Sequence, residues 1–386
     1  MLKYEVRRLE DIVNNLDNKR KPLNDQERKE ITQYGLYPYC GANGIVDYVD
    51  KYLFDEEILC IAEDGSDWSF NKKCSYIMNE KCWVNNHAHV VTAKKGIILK
   101  YLYYYLNYSD LSSKVTGTTR GKMTKSALNS IEIPIPDYDM QGRIVVILDK
   151  TQDLIDKRNQ QIQACDEVIK SQFIEIFGDP VINPMGWEMP KIEQVVANEK
   201  NALKAGPFGS ALKKEYYVEQ GYKIYGQEQV ISGDANFGDY YISEEKYKEL
   251  ENCAVKANDV LISLVGTYGK ILIMPNEFEA GIINPRLMKI TFDKEKVNTV
   301  YFKYFFGSNE LKRALSHNTH GGTMDILNLG IVRNIKIPVP PIELQNEFSE
   351  FVQQVDKLKF GMEQSLKQLE ANFDALMQKA FKGELF

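Results

Sequence analysis

A chain of 386 residues, 44% hydrophobic and 26% charged, has the composition of a soluble protein of about two or three domains. No apolar run approaches the length of about 18 residues that a transmembrane helix needs, and MLKYEVRRLEDIV at the start lacks the apolar core of a signal peptide, so a cytoplasmic location without membrane attachment is expected. The net charge of −6 speaks against a chain basic all over, yet it hides a segregation: residues 1–136 sum to +1, 137–180 to −4, 181–340 to 0 and 341–386 to −3. From Lys94 to Lys125 there are seven Lys or Arg and one acid, Asp110, so a local positive patch is available. Six cysteines without a CxxC pair are expected to be reduced and mostly buried.

In chain order, residues 1–136 hold glycine-punctuated short strands in YPYCGANGIVDYV, EILCIAEDG and HAHVVTA, then a helix in GIILKYLYYYLNY. The stretch VTGTTRGKMTKSALNS follows, and IEIPIPDYDMQ (131–141) closes the segment. Residues 184–334 repeat the order with KIYGQEQVI, DVLISLVGTYGKILIM, RLMKITF and the helix VYFKYFFGSNELKRAL. A second Gly/Thr-rich stretch, HNTHGGTMDILNLG, precedes IKIPVPPIELQ (335–345), which lies 204 residues after its counterpart. Prolines at spacing two confine each IPxP to a sheet edge or an extended exit from a domain. Asp137-Tyr138 and Gly142 in the first copy, against Pro341 in the second, predict a less firmly started first helix.

A long helix is predicted after each IPxP. In the first, positions 144, 148, 151, 155, 158, 162, 165, 169, 172 and 176 alternate spacings of four and three, and seven are apolar: Ile144, Leu148, Ile155, Ile162, Cys165, Ile169 and Ile176. Phe348, Val352, Val355, Met362, Leu366, Leu369, Phe373, Leu376 and Ala380 keep the same phase in the second, broken only by Lys359. A period of 3.5 marks a coiled-coil seam. Helices of about 37 residues would run about 55 Å and expose their stripes beyond any small domain. Pairing with each other is the economical solution, and packing on their own domains is the alternative.

Catalytic chemistry is hard to assemble from these residues. His87 and His89 form an HxH pair with no third metal ligand at a fitting spacing. Glu63 and Asp64 in AEDGS read as a turn with Gly65, or as acids at a strand end. GPFGSALKK, with Gly206, Gly209 and Lys213, is not a phosphate loop, and the Asn-Pro pairs of INPMG and INPRL lack the aromatic residue of an amino-methyltransferase motif. No nucleophile–base set and no clustered acidic nuclease site is found, so no catalytic residue and no metal site is assigned. The two Gly/Thr stretches carry donors suited to phosphates and base edges: Thr118, Thr119, Arg120, Lys122 and Lys125 in one, His317, Asn318, Thr319 and His320 in the other. They read equally as plain surface turns, and Tyr103, Tyr104 and Tyr105 read as core aromatics.

Over essentially its whole length the chain resembles the specificity subunit of type I restriction-modification enzymes. The carriers are YPYCGANGIVDYVDKYLFDEEILCIAEDG, the series GPFGS, GQEQVISG, DVLISLVGTYGK and INPRL, the two IPxP openings, and the helix ends FIEIFGD and MQKAFKGEL. The resemblance implies an α+β architecture: two αβ target recognition domains (1–136 and 181–340) separated and followed by long helices (137–180 and 341–386) that pair as an antiparallel coiled coil. It implies a subunit that is not itself an enzyme, in which each domain reads one half of a split site in double-stranded DNA. Two methyltransferase subunits would bring S-adenosylmethionine, and two restriction subunits would add ATP- and Mg-dependent translocation and cleavage. Candidate DNA contacts become Lys94, Lys95, the two Gly/Thr stretches, Gly209, Ser210, Lys213, Thr267, Tyr268 and Arg286. An orphan DNA-binding protein without enzyme partners would show the same sequence.

Overall fold

The computed structural model describes residues 4–117, 121–264, 270–317 and 327–386, the side chains of 315–317 excepted. It divides into two compact units, Met1–Gln160 with Glu363–Phe386, and Gln161–Met362. Each unit mixes sheets and helices, an α+β architecture. Among the described residues no helix is long and apolar enough to cross a membrane.

In the first unit the continuous apolar run ILCIA forms the strand Ile58–Ala62, all five residues buried, as expected of a strand covered on both faces. It lies between Ala88–Ala93 and Ser75–Met78, and Val13–Asn15 completes a four-stranded antiparallel sheet. YPYCGANGIVDYV becomes the hairpin Tyr37–Gly41 and Gly44–Val49, and the short strand Trp83–Val84 pairs parallel to Tyr37–Gly41. The helix Leu99–Tyr108 buries Leu99, Tyr101, Leu102, Tyr104 and Leu106. The IPxP strand Glu132–Ile135 pairs with Glu5–Arg8 alone, with Pro134 opposite Val6. A strand with one partner leaves an edge on which the missing proline N–H costs nothing.

The second unit rebuilds this plan from different residues. Val260–Ser263 lies between Leu287–Ile290 and Ile271–Ile273, with Leu203–Ala205 outside, again all antiparallel. A second sheet contains the parallel pair Tyr222–Tyr225 and Gly281–Ile283. The helix Thr299–Gly307 buries Tyr301, Phe302, Phe305 and Phe306. Here the IPxP segment makes only isolated bridges, Lys336 with Lys191 and Val339 with Glu188.

The long helices run Tyr138–Phe177 and Ile342–Lys382. Every position of both sequence seams is buried or half-buried, including Ile162, Met362, Leu366 and Leu369. In the first unit Ile144, Val145 and Leu148 share one core with Met377, Ala380 and Phe381. In the second, Phe173 and Phe177 pack on Phe348, ring centroids 5.6 and 5.4 Å apart. The start of the first helix thus meets the end of the second in one unit, and its end meets the start of the second in the other, so the pairing is antiparallel. Lys359, the break in the seam, is bonded to Asp166 of the facing helix at 2.6 Å.

The repeated glutamines of the two openings are fully buried clamps. Gln141 Nε2 donates to the carbonyls of Gly96 and Pro136 at 3.1 and 3.0 Å, and its Oε1 accepts from the Ile98 amide at 2.9 Å. Gln345 repeats the set with Lys296, Pro340 and Asn298 at 2.9, 2.8 and 2.9 Å. The Tyr101 and Tyr301 hydroxyls donate to the carbonyls of Pro134 and Pro338 at 2.6 and 2.7 Å. The two helix starts differ in their capping. Asp137 Oδ1 accepts from the Met140 amide at 2.8 Å and caps the helix, a bond that Pro341 has no side-chain oxygen to make.

Candidate nucleic-acid interface

Both units place the end of the central buried strand beside the turn that enters its antiparallel neighbour. In the first, the Glu63 amide donates to the His87 carbonyl at 2.8 Å, and the Met123 amide donates to the Glu63 carbonyl at 2.8 Å. In the second, Leu264 donates to Arg286 at 2.9 Å and Leu327 to Leu264 at 3.0 Å. The residue before each turn completes the parallel strand pair: Asn85 donates to Cys40 at 3.0 Å and Asn284 to Tyr225 at 2.8 Å. Each of these asparagines then accepts, through its own Oδ1, the amide two residues on, His87 at 2.8 Å and Arg286 at 2.9 Å. Two sequences with little in common, NNH and NPR, so make one Asx turn at one place.

This frame gathers the motifs of the second unit. Gly206 donates to the Leu287 carbonyl at 2.9 Å, and a Cβ on it would lie 1.9 Å from the Asn284 oxygen, so only glycine lets GPFGS approach INPR this closely. Gln227 Nε2 donates to Ser263 Oγ at 2.9 Å, and Arg286 Nη1 donates to Gln227 Oε1 at 3.3 Å. Gly209, Ser210, Lys213 and Arg286 are exposed. Lys213 has Glu215 at 3.5 Å. Phe208, in the middle of GPFGS, is 89% exposed and was missed because an aromatic residue in sequence reads as core. Thr267, Tyr268, Asn318, Thr319 and His320 lie outside the described residues, as does the side chain of His317. The described flanks at Leu264 and Leu327 are bonded to each other, so both stretches leave from this frame.

In the first unit Thr116 and Lys122 exchange two backbone bonds, 2.9 and 2.7 Å, and frame a tip whose Thr118, Thr119 and Arg120 lie outside the described residues. Gly121 is small for an internal reason: a Cβ there would stand 2.9 Å from Val115 and 3.1 Å from the Trp68 ring. Lys122 bridges to Glu63 at 3.0 Å. Lys125 is exposed and opens the short helix Lys125–Asn129 behind the Thr124 cap. Lys94 and Lys95 do not join this group. Strand Ala88–Ala93 separates them from the frame by about 20 Å at roughly 3.3 Å per residue. Lys94 instead caps the short helix Leu9–Ile12, donating to the carbonyls of Glu10 and Asp11 at 2.9 and 3.3 Å.

A buried charge cluster is bonded to Lys122 and Met123. His89, 1% exposed, meets Asp17 Oδ2 at 2.7 Å through Nδ1 and the Met123 carbonyl at 2.8 Å through Nε2. The Met123 carbonyl can only accept, so Nε2 donates to it. Arg20 donates to Glu63 at 2.7 Å and to the Ala88 carbonyl at 2.7 Å. Burial opposes ionisation of Asp17, but bonds from His89, the Val90 amide and Asn15 outweigh it and hold its carboxyl at about 2. Glu63 is also lowered against its burial, by Arg20 and Lys122. The two imidazoles of HxH therefore do not converge, since His87 Nδ1 faces Asp64 at 2.9 Å and His89 faces Asp17. Five of the six cysteines are buried and Cys165 is half-buried.

The same loop frame is thus built twice, once in each unit. The family model described as type I restriction modification DNA specificity domain matches residues 1–164 and 184–371, and the chain belongs to that family. A protein of Haemophilus influenzae named as a type I restriction enzyme specificity subunit is 28% identical over 376 residues, covering 94% of this chain and 90% of its own. The MjaVIII specificity subunit of Methanocaldococcus jannaschii is 23% identical and covers 99% and 93%. Among solved structures, the S subunit from M. genitalium aligns with a TM-score of 0.55 at 16% identity over 98% of this chain and 96% of its own. A chain from a study of assembly and conformational transition of the type I system aligns with a TM-score of 0.60 at 15% identity, over 99% and 98%. These likenesses are of fold.

Proposed function

We propose that the two units are target recognition domains, each reading one half of a bipartite, asymmetric sequence in double-stranded DNA. The paired helices set the distance between the halves and offer their outer faces to two methyltransferase subunits. Those subunits carry S-adenosylmethionine, and two restriction subunits carrying ATP and Mg complete the complex. This chain contributes recognition and spacing and no bond-breaking step. The observation that carries the reading is the duplicated frame, in which the same backbone bonds hold different side chains. One scaffold with two sets of readers suits two unlike half-sites. Val146, Leu154, Val168, Leu358 and Phe360 expose between 50 and 63% of their surface on the helices, which supports a protein partner there. The boundaries 1–136, 137–180, 181–340 and 341–386 belong to this reading.

Methylation-sensitive long-read sequencing of DNA from cells carrying the full system tests it. The expected result is one motif of two unlike half-sites around an unread gap. A continuous or palindromic motif would refute it. Purification of the chain without methyltransferase subunits, still bound to a specific sequence, would favour a stand-alone DNA-binding role.

A further inference from the structure

The frame pairs two residues that sequence alone never aligned. His87 and Arg286 occupy the same position: each lies two residues after the asparagine of an Asx turn, the carbonyl of each accepts the amide of the residue just after the central strand, and each precedes the neighbouring strand. In both units the strand register agrees, with Ala62 opposite Ala88 and Ser263 opposite Leu287. Arg286 is exposed and the His87 side chain is 41% exposed, whereas His89, two residues on, is buried with both ring nitrogens bonded. Each of these side chains is braced by one side chain of its own unit, His87 by Asp64 at 2.9 Å and Arg286 by Gln227 at 3.3 Å. Among the described residues the His87 ring is bonded through Nδ1, which leaves Nε2 for a ligand.

We propose, building on the recognition-domain reading, that His87 is the first unit's counterpart of Arg286, and that each reads one base edge in its own half-site. The turn fixes the backbone, the brace fixes the rotamer, and the free end of the side chain meets a base edge in the major groove. A guanidinium suits the paired acceptors of guanine, and an imidazole whose Nδ1–H is given to Asp64 presents Nε2 as an acceptor, which suits the exocyclic amine of adenine or cytosine. Exchange of the side chain at one fixed position is then how the two units come to read different bases.

The test uses the complete methyltransferase complex carrying His87→Ala or Arg286→Ala, with methylated sites mapped by long-read sequencing. The expected outcome is relaxation at one base position, in one half-site for His87→Ala and in the other for Arg286→Ala, with about ten- to a hundredfold less discrimination there. Unchanged motifs with methylation lowered evenly at all sites would mean phosphate contact and overturn the proposal, as would relaxation of both halves by either variant. Where a variant methylates nothing, His87→Gln or Arg286→Lys complexes are titrated with the target and its single-base variants. Lost discrimination at one position supports the assignment, and equal loss on every sequence overturns it. A wild-type motif that is not bipartite sinks the recognition-domain reading itself and is seen before any variant is made.

Discussion

At the residue scale, the two buried glutamines of the helix openings have their bonds complete, whereas the buried Trp68 Nε1 has no partner among the described residues. Gln141 and Gln345 each have three bonds, and an unmet donor or acceptor there would cost about 1–3 kcal/mol. Asp17 is the sharper case, because its carboxyl falls from 3.8 to about 2 on folding. A folded value below the unfolded one contributes stability above pH 3.8 that is lost as pH falls toward 2, here about 2 kcal/mol. Asp17→Asn is therefore expected to lower the unfolding midpoint of the first unit at pH 7 by that order, with the gap to wild type closing between pH 4 and 2. Thermal unfolding across that range checks it, and a gap that widens in acid would contradict the sign. None of this was legible in sequence. His89 looked like half of an HxH pair with His87, and only the turn before strand Ala88–Ala93 sends the two rings to different carboxylates. Gln141 and Gln345 were visible as a repeat, but their bonds reach back more than forty residues to the loop before the aromatic helix.

At the element scale, most of the architecture was legible, because periodicity is local. The 3.5 seam, the ILCIA strand and the aromatic helices follow from spacings within a few residues, and the structure buries those faces. The break in the seam was also visible, though its partner was not. Lys359 is 24% exposed and Asp166 48%, so their bond contributes at most about 1 kcal/mol after solvent screening. A leucine at that position extends the apolar stripe. Lys359→Leu is expected to leave the unfolding midpoint unchanged or raise it by the equivalent of about 1 kcal/mol. A clear fall in chemical denaturation would show that the ion pair is needed for the register of the two helices. The loop frame was illegible for the opposite reason. Its members lie far apart in sequence, Gly206 from its partner Leu287 by 81 residues, and a parallel strand pair with a handful of backbone bonds brings them together.

At the scale of the whole molecule, the proposed spacing role makes a geometric demand. Seven residues inserted between Gln160 and Gln161, and seven between Met362 and Glu363, keep both seams in phase. They lengthen each helix by about 10 Å at roughly 1.5 Å per residue, close to three base pairs at about 3.4 Å each. The expected outcome is a methylation motif with unchanged half-sites and a gap longer by about three positions. Altered half-sites with an unchanged gap would separate spacing from the helices.

The first unit is completed by residues 363–386, whose Met377, Ala380 and Phe381 enter the same core as Leu9 and Tyr101. On the ribosome, where synthesis runs at about 5–20 residues per second, the order of manufacture and the order of completion then part company. Residues 161–362 are contiguous and can close as soon as they emerge. The opening 160 residues are made first and wait, with part of their apolar core uncovered, until the last helix arrives. The segment made earlier is completed later.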